Sequence, residues 1–174
     1  VSSISVFSFS SGSLMQQNMT SEKSPRGVAT GDVDSDGKID FVVSNYDDAS
    51  ITIWTNDGHN SFNQQKLDAG KHPVGVAIGR DADGPFIAAA VYSENKVVVF
   101  MHGISKTGWQ KSEIAVPGSP TDVTIGKLND VLYVISANYI DGSISLLKKT
   151  PSGLEKEKDV KVGGGVCKVE IADV

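Results

Sequence analysis

The segment Gly31-Asp-Val-Asp-Ser-Asp-Gly-Lys-Ile-Asp40 sets Asp32, Asp34, Asp36 and Asp40 at positions 1, 3, 5 and 9 of a short loop, with Gly37 at position 6. Alternate residues of a tight loop face a common centre. Carboxylates gathered there repel one another unless a cation neutralises them. Hard oxygen donors select Ca²⁺, which takes about 6 to 8 oxygens and often a backbone carbonyl at position 7, here that of Lys38. Glycine at position 6 permits the sharp turn. The loop is not an EF-hand, because position 12 is Val43 where a bidentate Glu is required, and Asp40 supplies the last carboxylate instead. A metal-free Asp/Gly turn is the alternative. Four aspartates at this spacing favour the metal.

Other chemistry is thinly represented. His59, His72 and His102 have no paired spacing, so zinc has no signature. There is no Gly-x-Ser-x-Gly elbow for a nucleophilic serine. Gly163-Gly-Gly165 lacks the Lys-Ser/Thr of a phosphate loop and reads as a connector. Cys167, the single cysteine, forms no disulfide within the chain and is expected to be a buried structural thiol. Asn18-Met-Thr20 is a glycosylation triplet, a slight pointer to an extracellular setting.

The elements that position the loop follow from a repeat. Pro25-Arg-Gly-Val-Ala-Thr-Gly31, Pro73-Val-Gly-Val-Ala-Ile-Gly79 and Pro120-Thr-Asp-Val-Thr-Ile-Gly126 align, with a weaker copy at Val166-Cys-Lys-Val-Glu-Ile-Ala172. A second marker, through Ile4, Ile51, Val97 and Ile144, shares the period of about 47 residues. Each unit reads as short strands between turns. In the clearest unit these are Arg26–Thr30, Ile39–Ser44, Ser50–Thr55 and the more polar Phe62–Leu67, with Asn56-Asp-Gly58 as a hairpin turn. Four strands per unit at this period predict an all-β fold of β-propeller blades. Units 25–72, 73–119 and 120–165 are full blades, 1–24 is the end of an earlier one, and 166–174 starts the next. The 174 residues amount to about 3.7 units. An incomplete part of a larger ring of about seven blades is therefore expected, with a complete four-bladed ring as runner-up.

Composition agrees. Val and Ile total 34 against 7 Leu, a bias that suits pleated strands. The net charge of −5 argues against nucleic acid as partner. The longest apolar stretch, Phe86 to Tyr92, is far too short to span a bilayer as a helix. No basic, apolar leader segment is present in these residues.

From Val28 to Val43 the chain reads Val-Ala-x-Gly-Asp-Val-Asp-x-Asp-Gly-x-x-Asp-Phe-Val-Val, which resembles the FG-GAP or VCBS repeat of integrin-α-type propellers. The resemblance implies Ca²⁺ bound between the first two strands of a blade. It fades in the next unit, where Asp81 and Asp83 match Asp34 and Asp36 but Arg80 replaces Asp32 and Ile87 replaces Asp40. A guanidinium there can partly stand in for the ion. The following unit, at Lys127-Leu-Asn-Asp130, has lost the motif, so one calcium is expected.

Between second and third strands, Asn45-Tyr46-Asp47-Asp48, Tyr92-Ser-Glu-Asn95 and Asn138-Tyr139-Ile-Asp141 recur on one rim. Asn45, Tyr46, Asp47, Tyr92, Asn138 and Tyr139 are candidate ligand contacts, since Tyr and Asn combine area with adaptable hydrogen bonding. The expectation is a calcium-binding extracellular propeller that recognises a glycan or protein, joined to the rest of a larger chain or to neighbouring subunits. One alternative is a propeller hydrolase, because Ala137 to Ser145 is similar to lactonase-like propellers. The other is a purely structural repeat. No catalytic set is identifiable.

Overall fold

The structure, a computed structural model, describes residues 2–10, 12–59, 61–102 and 108–172. Strands β1 (Ser3–Ser10) and β2 (Ser13–Thr20) form a hairpin. Three four-stranded antiparallel sheets follow in chain order. The first holds β3 (Pro25–Gly31), β4 (Asp40–Asn45), β5 (Ser50–Asn56) and β6 (Phe62–Asp68). The second holds β7 (Pro73–Asp81), β8 (Gly84–Val91), β9 (Lys96–His102) and β10 (Trp109–Ala115). The third holds β11 (Pro120–Leu128), β12 (Val131–Asn138), β13 (Ser143–Thr150) and β14 (Gly153–Lys161). These are three blades of a partial β-propeller, preceded by the outer half of a fourth.

Local sequence explains the blade. The second strand is apolar because both faces are covered, and β4 is buried along its whole length. The outer strand β6 is mostly exposed and polar, as an edge should be. Each inner strand opens on a proline, at Pro25, Pro73 and Pro120, where a missing N–H costs nothing. A bulge follows each proline. The residue before it, Ser24, His72 or Ser119, is left-handed with φ of 54°, 60° and 55°. Its carbonyl accepts the backbone N–H of Tyr46, Tyr92 or Tyr139, tying blade entry to the turn after the second strand.

The cores lie between blades. One joins the first and second blades through Val42, Ile51, Ile53, Val76, Ile87 and Val98. Another joins the second and third through Phe86, Ala88, Val97, Val99, Val123 and Val134. A third seats the β1–β2 hairpin on the first blade through Met19, Phe41, Val43 and Trp54. At the inner strands the backbones come into contact. A Cβ built on Gly27 would lie 2.3 Å from the Val74 carbonyl oxygen, and one on Gly79 would lie 2.5 Å from Cγ2 of Ile125.

The segment 166–172 extends this pattern without being hydrogen-bonded as a strand. Ile171 packs over Gly126, as Ile78 packs over Gly31 and Ile125 over Gly79. The Val169 amide donates to Asp122, and Thr121 Oγ1 donates to the carbonyls of Val166 and Cys167. The segment thus takes the place of the next inner strand, while residues 173–174 of that expected start lie outside the described residues. Cys167 corrects the expectation of a buried thiol. It is exposed, because only one side of its segment is covered.

Gly27→Ala drives a methyl group into backbone and is expected to destabilise by about 1–3 kcal/mol. Gly164→Ala, with nothing within 4 Å of its Cβ, should stay within about 0.5 kcal/mol of the parent. Denaturant melts of the two variants check the contrast.

Candidate functional site

The aspartate loop joins β3 to β4 and is organised by its own carboxylates. Asp32 Oδ1 accepts the amides of Ser35 (2.7 Å) and Asp36 (3.2 Å), and Oδ2 accepts that of Gly37 (3.1 Å). Gly37 has φ of 82°, a left-handed turn suited to glycine. Asp34 Oδ1 accepts the Asp36 amide at 3.1 Å. Asp40 is fully buried and clamps two elements: Oδ2 accepts the Val33 amide and Oδ1 the Asn56 amide at the end of β5, each at 2.8 Å. Burial pushes the Asp40 carboxyl above its usual range. Those two N–H bonds oppose the shift, and repulsion from Asp34 and Asp36 adds to it.

Ligand atoms of Asp32, Asp34 and Asp40 all lie within 4.8 Å of one another. Calcium–oxygen bonds of about 2.3–2.6 Å let two ligands of one ion stand up to roughly 5.2 Å apart, so these three carboxylates fit a single ion. Asp36 lies outside this cluster. Its Oδ1 accepts the Lys38 amide, and its Oδ2 pairs with Lys38 Nζ at 2.5 Å, which holds the Asp36 carboxyl below its usual range.

A second cation comes from the neighbouring blade. Arg80 does not fill its own loop. It crosses to the first one, donating to the Asp32 carbonyl and Ser35 Oγ at 3.1 Å and pairing with Asp32 Oδ2 at 3.2 Å. In the degenerate loop, Asp81 Oδ1 accepts the amides of Asp83 and Gly84. Lys149 from the third blade reaches back to Asp81 and Asp83 at 3.2 and 3.5 Å. A lysine thus sits between those two carboxylates. The Arg80 and Lys149 crossings were not legible, because the period aligns equivalent residues and not residues of adjoining blades.

The opposite rim carries the turns after second strands. Asn45 and Asn138 are completely buried there, which corrects their reading as ligand contacts. Asn45 Nδ2 donates to Ser50 and Thr52, and Asn138 Nδ2 donates to Ser143 and Ser145, in each case at 3.1 and 2.9 Å. Both amides are internal clamps between second and third strands. The available signal was an Asn with hydroxyls five and seven residues later; the second blade has Val91, Lys96 and Val98 at those places.

Tyr46 stacks on His72 of the next blade, with centroids 4.3 Å apart and planes 16° apart. The Arg26 guanidinium lies 4.4 Å from the Tyr46 ring centroid. Asp47 is exposed and accepts a short hydrogen bond from Ser24 Oγ. Tyr92 is half-buried, whereas Tyr139 and Ile140 are exposed. Arg26 and His72 join this rim through the fold alone. The side chain of His102 lies outside the described residues.

No family model matches the chain, and no curated protein matches it. Solved structures do, at identities that speak to the fold only. Over 98% of this chain and 55% of its own length, a candidate 6-phosphogluconolactonase from Bacteroides uniformis superposes with a TM-score of 0.71 at 15% identity. Aleuria aurantia lectin in complex with Fucα1-6GlcNAc gives 0.63 at 15% identity, over 92% of this chain and 53% of that one. Kuenenia stuttgartiensis hydrazine synthase gives 0.60 at 17%, over 84% and 38%. The chain spans about two-fifths to a little over half of the structures it resembles.

Asn138→Ala removes three side-chain hydrogen bonds in the third blade, to Ser143 and Ser145 and from Ser136. It should cost about 1–3 kcal/mol of unfolding free energy in a denaturant melt.

Proposed function

We propose that this chain is a calcium-stabilised recognition module of an extracellular β-propeller, which binds a glycan or a protein through its tyrosine rim. The observation that carries the proposal is the convergence of Asp32, Asp34 and Asp40 on one space between the first two strands of a blade. Calcium there would be held by those three carboxylates. Asp36 and the Lys38 carbonyl would join once Lys38 Nζ, on a half-buried side chain, released Asp36. The ion would supply charge neutralisation and no reaction step. The loop's resemblance to the FG-GAP repeat supports the same reading.

Recognition rests on the rim. Tyr46, Tyr92 and Tyr139 recur at blade spacing, and Arg26, Asp47 and His72 add charge and hydrogen bonding beside the first ring. Aromatic area with a few polar groups suits a sugar ring or a protein loop. Likeness of fold to a lectin supports the glycan arm. The remainder of a larger propeller, in this chain or in a neighbouring subunit, is part of the proposed assembly.

Calorimetric titration of CaCl₂ should give one site per chain and raise the melting temperature, since ligand binding to the folded form alone stabilises it. Asp34→Ala should weaken binding tenfold or more, and Asp36→Ala less. Unchanged heats and melting in the parent, with and without calcium, would remove the metal claim. Glycan-array binding lost in Tyr46→Ala supports recognition. Lactone turnover without glycan or protein binding would replace recognition with hydrolysis.

A further inference from the structure

The β1–β2 hairpin has an unfinished side. In each complete blade the third strand pairs on both edges: β5 lies between β4 and β6, β9 between β8 and β10, and β13 between β12 and β14. Strand β1 occupies the same place by repeat register, with Ile4 and Val6 matching Ile51 and Ile53, yet among the described residues it pairs with β2 alone. Beside it opens a groove of about 670 Å³, lined by Ile4, Val6, Val28, Phe41, Val43 and Phe62. Four exposed large apolar side chains border it: Phe7, Met15, Val28 and Ile39. Exposed apolar surface of this extent marks an interaction site.

The repeat specifies what covers such a groove. Val28 is 63% exposed, whereas its equivalents Val76 and Val123 are 8% and 4% exposed against the preceding inner strand. Thr30 stands where Ile78 and Ile125 stand, and each of those isoleucines packs over a glycine of that preceding strand. The carbonyl of Val74, the equivalent of Arg26, lies against Gly27. On the pattern of β3 and β7, a strand seated beside β3 carries small residues opposite Arg26 and Thr30, while β11 has Asp122 at the first of these places and keeps Gly126 at the second. A second strand is needed to hydrogen-bond the free edge of β1, and the equivalents β4 and β8 are almost wholly buried.

We infer that the groove is a docking site for one largely apolar β-hairpin from outside these 174 residues, whose inner strand carries glycines four residues apart, as β3 and β7 do, and whose second strand is buried on both faces. Such a hairpin adds to β1 by strand pairing and continues the interblade core of Met19, Phe41, Val43 and Trp54. A second copy of this chain is a poor occupant. Its one inner segment outside a sheet, 166–172, is a single strand's worth, lies against β11, and has Lys168 and Ala172 where the glycines belong.

The probe is a labelled synthetic peptide of residues 73–91, the chain's own β7–β8 hairpin, titrated with the 174-residue protein by fluorescence anisotropy. Saturable one-to-one binding is expected. Val28→Arg, at an exposed position that should leave the fold intact, should weaken it tenfold or more. The same loss is expected when valines replace the peptide's two glycines at positions 75 and 79. No saturation up to about 100 µM protein, or binding indifferent to Val28→Arg, overturns the inference. So does a protein that refuses the peptide but self-associates in sedimentation through a Val28-dependent contact, which names a second copy as the occupant.

Discussion

Neighbouring inner strands in this chain touch backbone to side chain, and the architecture depends on that approach. Ile78 sits over Gly31, Ile125 over Gly79 and Ile171 over Gly126, at a separation no Cβ would allow without movement. Because the strands meet there, their outer partners splay and enclose wedge-shaped cores between blades. Ile51, Ile53, Ile87, Val97, Val98 and Val134 are buried in those cores at 1% exposure or less. Each such side chain contributes about 1.5–3 kcal/mol on burial. A single blade contains only half of each core, so folding stability is a property of adjoining blades. The same geometry sends loops between first and second strands to one rim, and turns between second and third strands to the other.

On the first rim the problem is charge. The loop after β3 crowds four aspartates, and Lys38 and Arg80 lie against two of them. The loop after β7 has two, bridged by Lys149. After β11 the connection is again two residues, Asn129 and Asp130, with φ of 50° and 63°, a tight turn of the type I′ kind that has no room for a ligand cage. The connection shortens once, from eight residues after β3 to two after β7 and two after β11, and the crowding of aspartates goes with it. Two of the neutralising cations come from the next blade, so electrostatics reinforce the order of blades that packing sets.

The period, the four strands per unit and the boundaries of the first full blade could be read directly, because β-branched runs and Asp/Gly turns are local signals. The aspartate loop was legible for the same reason. What escaped was the pairing of side chains, both across blades and between strands of one blade. Arg80 looked like a substitute inside its own loop and proved to serve another. Asn45 and Asn138 looked like rim contacts, since an amide beside a tyrosine in a turn suggests exposure. Their burial follows from the pleat, which turns them toward the hydroxyls of the third strand. Cys167 looked buried because lone cysteines usually are, and only one side of its segment is covered.

These amide clamps bear on the second rim directly. Asn45 fixes the residue immediately before Tyr46, and the Tyr46 amide is held by the Ser24 carbonyl at 2.9 Å. With backbone fixed on both counts and the ring in contact with Arg26 and His72, the Tyr46 turn keeps little conformational freedom. Val43 stands where the third blade has Ser136, so Asn45 Oδ1 lacks the donor that Asn138 Oδ1 receives, and it is buried without a partner. The first blade thus keeps a less satisfied clamp beneath its rim, in exchange for an apolar residue facing the β1–β2 hairpin. The interblade core sets the choice at position 43, and the ordering of the tyrosine turn follows from it.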